Sequence, residues 1–160
     1  MDKKVENFLN KIRELYNQIE NFVNKYDLKY KYDDISLYEE YAGKYWTQEM
    51  YISKDGEFLF KLKPIGAYII GADGRVDIIG KFDSKVIIYL EKLYKMEFAT
   101  STESGDKKEC VSPSTVSLYD GYEGPGWYFS GDRKKILPLN NQNICSVLEE
   151  ISEFRCTGEN

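Results

Sequence analysis

The stretch Trp46-Thr47-Gln48-Glu49-Met50-Tyr51-Ile52-Ser53-Lys54-Asp55-Gly56-Glu57-Phe58-Leu59-Phe60-Lys61-Leu62 has the period of a β-hairpin. Trp46, Met50 and Ile52 fall on one face of an alternating run, with Thr47, Glu49, Tyr51 and Ser53 on the other. Phe58, Phe60 and Leu62 resume the first face after Asp55-Gly56. An Asp-Gly pair between two period-two runs marks a tight turn, because glycine takes the positive φ that such turns require. Pro64 closes the second strand.

Downstream, Ala67-Tyr68-Ile69-Ile70 and Val76-Asp77-Ile78-Ile79 flank a second Asp-Gly, Asp73-Gly74, and so read as another hairpin. Gly80 to Ser84 forms the next turn. Lys85-Val86-Ile87-Ile88-Tyr89-Leu90 is β-branched on both faces, which predicts a central strand covered on both sides. Residues 45–93 therefore read as an antiparallel β-meander.

Upstream lies a different period. Val5, Phe8, Ile12, Leu15, Ile19, Phe22 and Tyr26 recur at spacings of three and four, widened by Leu9, Tyr16 and Val23. This predicts a long amphipathic helix over 1–26. Its stripe is wider than a coiled-coil seam and suits a sheet, although it also offers a homodimer seam. Leu28, Tyr30 and Tyr32 suggest a short strand. Residues 33–41 read as a helical turn or an irregular connection, ended by Gly43.

Beyond Leu93 the pattern weakens. Residues 100–114, rich in Ser, Thr, Lys and Glu, read as a mobile loop. Val116 to Tyr119 and Trp127 to Phe129 are short strand candidates. A C-terminal helix is predicted over 141–155, capped by Asn140 or Asn141, with Ile144, Leu148, Ile151 and Phe154 on its buried side. Residues 157–160 should fray. The expected fold is one α+β domain over 1–160. An antiparallel meander sheet of about five to seven strands is packed by the long N-terminal helix and the shorter C-terminal one.

Composition narrows the function. With 22 Lys and Arg against 27 Asp and Glu the net charge is -5, which argues against broad affinity for nucleic acid. Histidine is absent, so the commonest general base and metal ligand is missing, and no Ser-His-Asp or Cys-His mechanism can be assembled within the chain. No apolar run approaches the roughly 20 residues of a bilayer crossing, and the N-terminal pattern lacks the apolar core of a secretory signal. Three cysteines, Cys110, Cys145 and Cys156, are few and odd in number. Ordinary reduced thiols in a cytoplasmic protein are the expectation, with Cys145 and Cys156 too far apart along a helix to bond.

Five groupings were weighed for chemistry. Asp77 with Asp83-Ser84-Lys85 supplies the residue types of a metal-dependent nuclease, two carboxylates and a lysine, but the spacing is too short for adjacent strands. Gly71-Ala72-Asp73-Gly74 has the spacing of a phosphate loop, yet it connects strands rather than opening a helix. Arg133-Lys134-Lys135 reads as a solvated turn. Asp34, Tyr38, Glu39, Glu40, Tyr41 and Tyr45 form an acidic, tyrosine-rich segment suited to a protein partner with a basic surface. Tyr119, Tyr122, Glu123 and Trp127, interleaved with glycines, form a candidate small-ligand loop.

In size, acidity and architecture the chain resembles small prokaryotic α+β proteins, including some immunity proteins that neutralise toxins. No diagnostic motif accompanies that resemblance. The expectation is a non-catalytic protein-binding module, of inhibitor or immunity type, without cofactor or metal. The alternatives are a small-ligand domain using residues 119–127 and, more remotely, the nuclease.

Overall fold

A computed structural model of the chain describes residues 1–98, 103–104, 107–108 and 114–156. The first element, α1 (Lys3–Lys25), is capped by Asp2, whose carboxylate accepts from the Lys4 and Val5 N–H groups at 2.9 and 3.1 Å. The predicted stripe is the buried one: Val5, Phe8, Ile12, Leu15, Ile19 and Phe22 are each at most 3% exposed. At about 1.5–3 kcal/mol per large apolar side chain, this face supplies much of the cohesion between helix and sheet. It rests on β1 (Lys29–Glu39), β2 (Gly43–Lys54) and β3 (Glu57–Gly66), so the stripe is covered by the chain's own sheet. The dimer seam expected as an alternative is thereby occupied.

The meander continues through β4 (Gly74–Gly80) and β5 (Ser84–Leu90). After an excursion, β10 (Gly126–Ser130) and β11 (Ile136–Pro138) complete an antiparallel sheet of seven strands, in the order β1-β2-β3-β4-β5-β10-β11. The excursion pairs β6 (Lys95–Phe98) with β9 (Ser114–Ser117), and β7 (Glu103–Ser104) with β8 (Lys107–Lys108). Most of the loop predicted over 100–114, with Cys110, lies outside the described residues, as does the end predicted to fray.

β5 is central, as its two-sided apolar pattern requires. Ile87 and Tyr89 enter the main core under the helices, while Ile88 and Leu90 join Ala72, Tyr128 and Ile136 on the opposite face. Tyr94, Tyr119 and Tyr122 pack against that second cluster.

The structure corrects several expectations. Residues 33–39 are no helical turn but part of β1, one 11-residue strand paired with β2 without a register shift. The Asp55-Gly56 turn forms as predicted, with φ of 52° and 80°. Beyond it, however, Ile52 pairs with Phe60 and Ser53 with Phe58, leaving Leu59 as an extra residue. This bulge turns Phe58 to the open face, against Tyr51, at a ring separation of 6.4 Å. The apparent strand Ala67–Ile70 is a loop instead. β3 runs through Pro64 to Gly66, and Gly71 takes a φ of +78° before β4 begins at Gly74.

The second helix, α2 (Asn141–Ile151), is capped by Asn140 and ends before the predicted 155. Ser152 donates its hydroxyl to the Leu148 carbonyl at 2.6 Å and accepts from the Phe154 N–H at 3.2 Å, turning the chain back. Phe154 then meets Tyr26 and Phe22, with ring centroids 5.3 and 5.9 Å away. The return brings Cys156 to a Cα–Cα distance of 5.6 Å from Cys145, and the two sulfurs are bonded. The reduced-thiol expectation fails because it extended the helix through a residue that reverses it. Its support for a cytoplasmic location falls with it.

The Ile151 carbonyl at the end of α2 accepts from the Phe82 N–H at 2.8 Å, so the β4–β5 turn satisfies a helix terminus. This approach leaves no room at Gly80, where a Cβ would lie 2.2 Å from that carbonyl oxygen. Gly80→Ala is expected to destabilise the fold by about 1–3 kcal/mol, read as a lower urea midpoint at unchanged m-value. Reduction of the Cys145–Cys156 bond, which closes a short loop, should cost about 2–3 kcal/mol. The same denaturation curve in a Cys145→Ser, Cys156→Ser double variant should be low already and insensitive to reductant.

Candidate functional site

The β1–β2 hairpin ends in a short turn where Glu39 pairs with Gly43 and the Ala42 N–H reaches the Glu39 carbonyl at 3.1 Å. Gly43, at φ +77°, closes it in the left-handed region. Pairing between β2 and β3 extends only as far as Met50 with Leu62, so the hairpin tip is tied to the body by side chains.

Glu39 is the tie. Its carboxylate accepts from the Ala67 N–H at 3.0 Å, the Tyr68 N–H at 2.8 Å and the Tyr45 hydroxyl. Gly66 permits the close approach, since a Cβ there would lie 2.6 Å from Glu39 Oε1. Tyr45 is buried, and burial first, then the Glu39 hydrogen bond, pushes its hydroxyl pKa well above the usual tyrosine value. Glu39 and Tyr45, both predicted as contact residues, are therefore internal supports.

The other members of the predicted segment do reach solvent. Tyr38 and Tyr41 are 76% and 77% exposed, and Asp34 and Glu40 are also exposed. Tyr41 leans on Tyr68 at a ring separation of 5.5 Å, and Tyr68 in turn donates to Asp2 at 2.7 Å and lies beneath Lys4. Asp34 accepts from Gln48 Nε2 at 3.1 Å.

Sequence reasoning missed Trp46. Assigned to the core face with Met50 and Ile52, it is instead 63% exposed, with Lys44 5.1 Å from its ring. α1 runs past Trp46 without closing over it, and the polar Gln48 between Trp46 and Met50 was the available signal. A groove of about 250 Å³ separates Trp46, Gln48 and Asp34 from Leu9, Arg13 and Tyr16 of α1. Tyr16 fastens the helix here by donating to the Gln48 carbonyl at 2.6 Å.

The glycine–aromatic loop is split: Glu123 and Trp127 line a cavity of about 500 Å³ together with Gly124, Pro125 and Gly126, whereas Tyr119 and Tyr122 are not part of its lining. Trp127 lies in the main core, its Nε1 donating to the Lys11 carbonyl at 2.9 Å. Tyr119 and Tyr122 belong to the cluster on the other face of the sheet, donating to the Gly71 and Glu91 carbonyls at 2.8 and 3.3 Å. The Glu123 N–H donates to the Tyr128 hydroxyl at 2.8 Å. Trp127 and the two tyrosines are thus divided between the two faces of the sheet, and the structure brings only Glu123 and Trp127 of the four to one cavity.

The nuclease trio is dispersed. Asp77 is held by Arg75 at 2.8 Å, Lys85 pairs with Glu150 at 3.1 Å, and Asp83 binds the following N–H in its turn. Among the described residues, no three Cys, Asp or Glu side chains converge as a metal site. Asp73 in the Gly71–Gly74 segment accepts from the Glu91 N–H and the Tyr94 hydroxyl, joining the loop to the strand after it.

Comparison with protein-family models, with curated proteins and with solved structures finds no match for this chain.

Tyr45 and Tyr16 give the site a pH signature. Burial is the main cause of the raised Tyr16 pKa, followed by the charges of Tyr32 and Glu49. Unfolded tyrosines lose their protons from about pH 10, whereas these two keep theirs when folded. Above that pH the native state binds more protons, so stability falls as pH rises, by at most about 1.4 kcal/mol per unit for each residue. Below about pH 10 they contribute no slope. Tyr45→Phe should flatten the alkaline limb of urea midpoints plotted against pH.

Proposed function

We propose that this protein is a non-catalytic protein-binding module that docks through the tip of the β1–β2 hairpin, in the manner of an inhibitor or immunity-type protein. The observation that carries the reading is the concentration of Tyr38, Tyr41 and Trp46, each more than 60% exposed, on one supported projection. Tyrosine and tryptophan are the side chains most often responsible for binding energy at protein interfaces, since they bring large area at little rotamer cost. Leaving three of them in water costs free energy that only a partner would recover.

The charge around the tip supports a basic partner. Glu39 is internal and Glu49 is paired with Lys61, which leaves Asp33, Asp34 and Glu40 on the surface against Lys44. The hairpin is rigid enough for such a role: its ladder is unbroken from Lys29 to Glu39, and Glu39 fixes it to the loop after β3. Preorganised contact surfaces lose less entropy on binding.

The test is a triple variant, Tyr38→Ala, Tyr41→Ala and Trp46→Ala, compared with the wild-type protein as bait in an extract of the native host. The wild type should retain a stoichiometric partner that the variant loses. Single alanine variants should weaken the purified complex by about 2 kcal/mol at the dominant aromatic, roughly 30-fold in Kd. Folding stability should shift by no more than about 0.5 kcal/mol, because the side chains are exposed. A partner held equally well by the triple variant would refute the tip as the contact surface.

A further inference from the structure

The sheet has two unlike edges. β11 is three residues long and ends in Pro138, which has no N–H to offer a neighbouring strand. β1 is 11 residues long, contains no proline, shows no register shift against β2, and among the described residues pairs with no strand on its other side. At about 3.3 Å per residue it presents some 36 Å of unpaired ladder. Long free edges are normally blunted by charge, and β1 does carry charges, but in an ordered way. The bases Lys29 and Lys31 precede Tyr32, and the acids Asp33 and Asp34 follow it.

That order is self-complementary only when two copies run antiparallel. We infer that the β1 edge is a self-association surface, on which two copies of the chain pair antiparallel through residues 29–35 about a two-fold axis at Tyr32. In this register Lys31 lies opposite Asp33 of the second copy, and Tyr30 opposite Asp34 of the second copy. The two Tyr32 side chains form a cross-strand aromatic pair at the axis, an arrangement that favours antiparallel strands. Pairs of equal parity keep both sheets facing the same way, so the helices lie on one side of a continuous sheet.

A second feature on the same face points to a missing cation. Asp33 is the direct cross-strand neighbour of Glu49, and like charges in that position are unfavourable. Glu49 is 9% exposed, its Oε2 has no hydrogen-bond partner, and its nearest base, Lys61, is 3.4 Å away. Glu49 thus has one close lysine and a second carboxylate, Asp33, beside it across the ladder. Lys31 of the second copy, set opposite Asp33, would bring a second positive charge to the pair. Within its own chain the Lys31 ammonium lies over the Tyr51 ring, at 5.4 Å.

The surface is separate from the hairpin tip, because pairing over 29–35 leaves Tyr38, Tyr41 and Trp46 beyond the paired segment. The test is light scattering and sedimentation equilibrium over a concentration series up to millimolar protein. The wild type should dimerise, more weakly at high salt. Lys31→Asp places two acids opposite each other at both ends of the register, and Asp33→Lys places two bases there. Each should weaken dimerisation by on the order of tenfold or more. Mixed in equal amounts, the two variants meet as opposite charges and should form a heterodimer. That rescue also shows that both are folded. A wild type that stays monomeric throughout, single variants that dimerise like the wild type, or a mixture that fails to pair would each overturn the inference. None of these outcomes depends on the tip aromatics.

Discussion

The docking of the α1 stripe onto one face of the sheet is the constraint from which the rest follows. It fixes which residues of β1, β2 and β3 face inward, and Met50, Ile52, Phe60 and Leu62 become fully buried as a result. Because the helix lies over the β1–β3 half and α2 packs against β4 and β5, the helical side of the sheet is covered along most of its width. On the opposite side, the tyrosines flanking the excursion cover β5 and β10. On that side of the β1–β3 half, Lys31, Glu49, Tyr51 and Lys61 sit together.

Strong local signals survived in the structure. The α1 period, the Asp55-Gly56 turn and the two-sided apolar run of β5 each met the environment their residues call for. Features set by distant neighbours did not show. One extra residue at Leu59 reverses the facing of Phe58 while leaving the alternation on paper intact. Asp33 and Asp34 disguised β1, because acids are poor strand formers and their tolerance here comes from an edge position open to water. Ala67 to Ile70 alternates like a strand, but β3 runs on to Gly66 and among the described residues the segment forms a single isolated bridge, Ile69 with Ala72. The cysteine bond depended on a reversal at Ser152, which no periodicity announces.

The candidate site was half legible for the same reason. Glu39 and Glu40 are adjacent acids, equivalent in composition, yet one binds two backbone N–H groups of the loop after β3 and the other faces solvent. The strand's end separates them: Glu39 is the last residue of β1 and Glu40 the first of the turn, which could be read only once β1 was known to extend to Glu39. Trp46 erred in the opposite sense: its alternation was right, but a groove lies between it and the helix that would have covered that face.

The placement of the two tryptophans has a practical consequence for spectroscopy. Trp127 is enclosed beside Tyr89 in the core, whereas Trp46 stands in solvent at the hairpin tip. Their emission should separate into a blue-shifted, quencher-resistant component and a red-shifted, iodide-accessible one. The chain thus carries two tryptophan fluorophores, one reporting the integrity of its interior and the other the surroundings of its projecting arm.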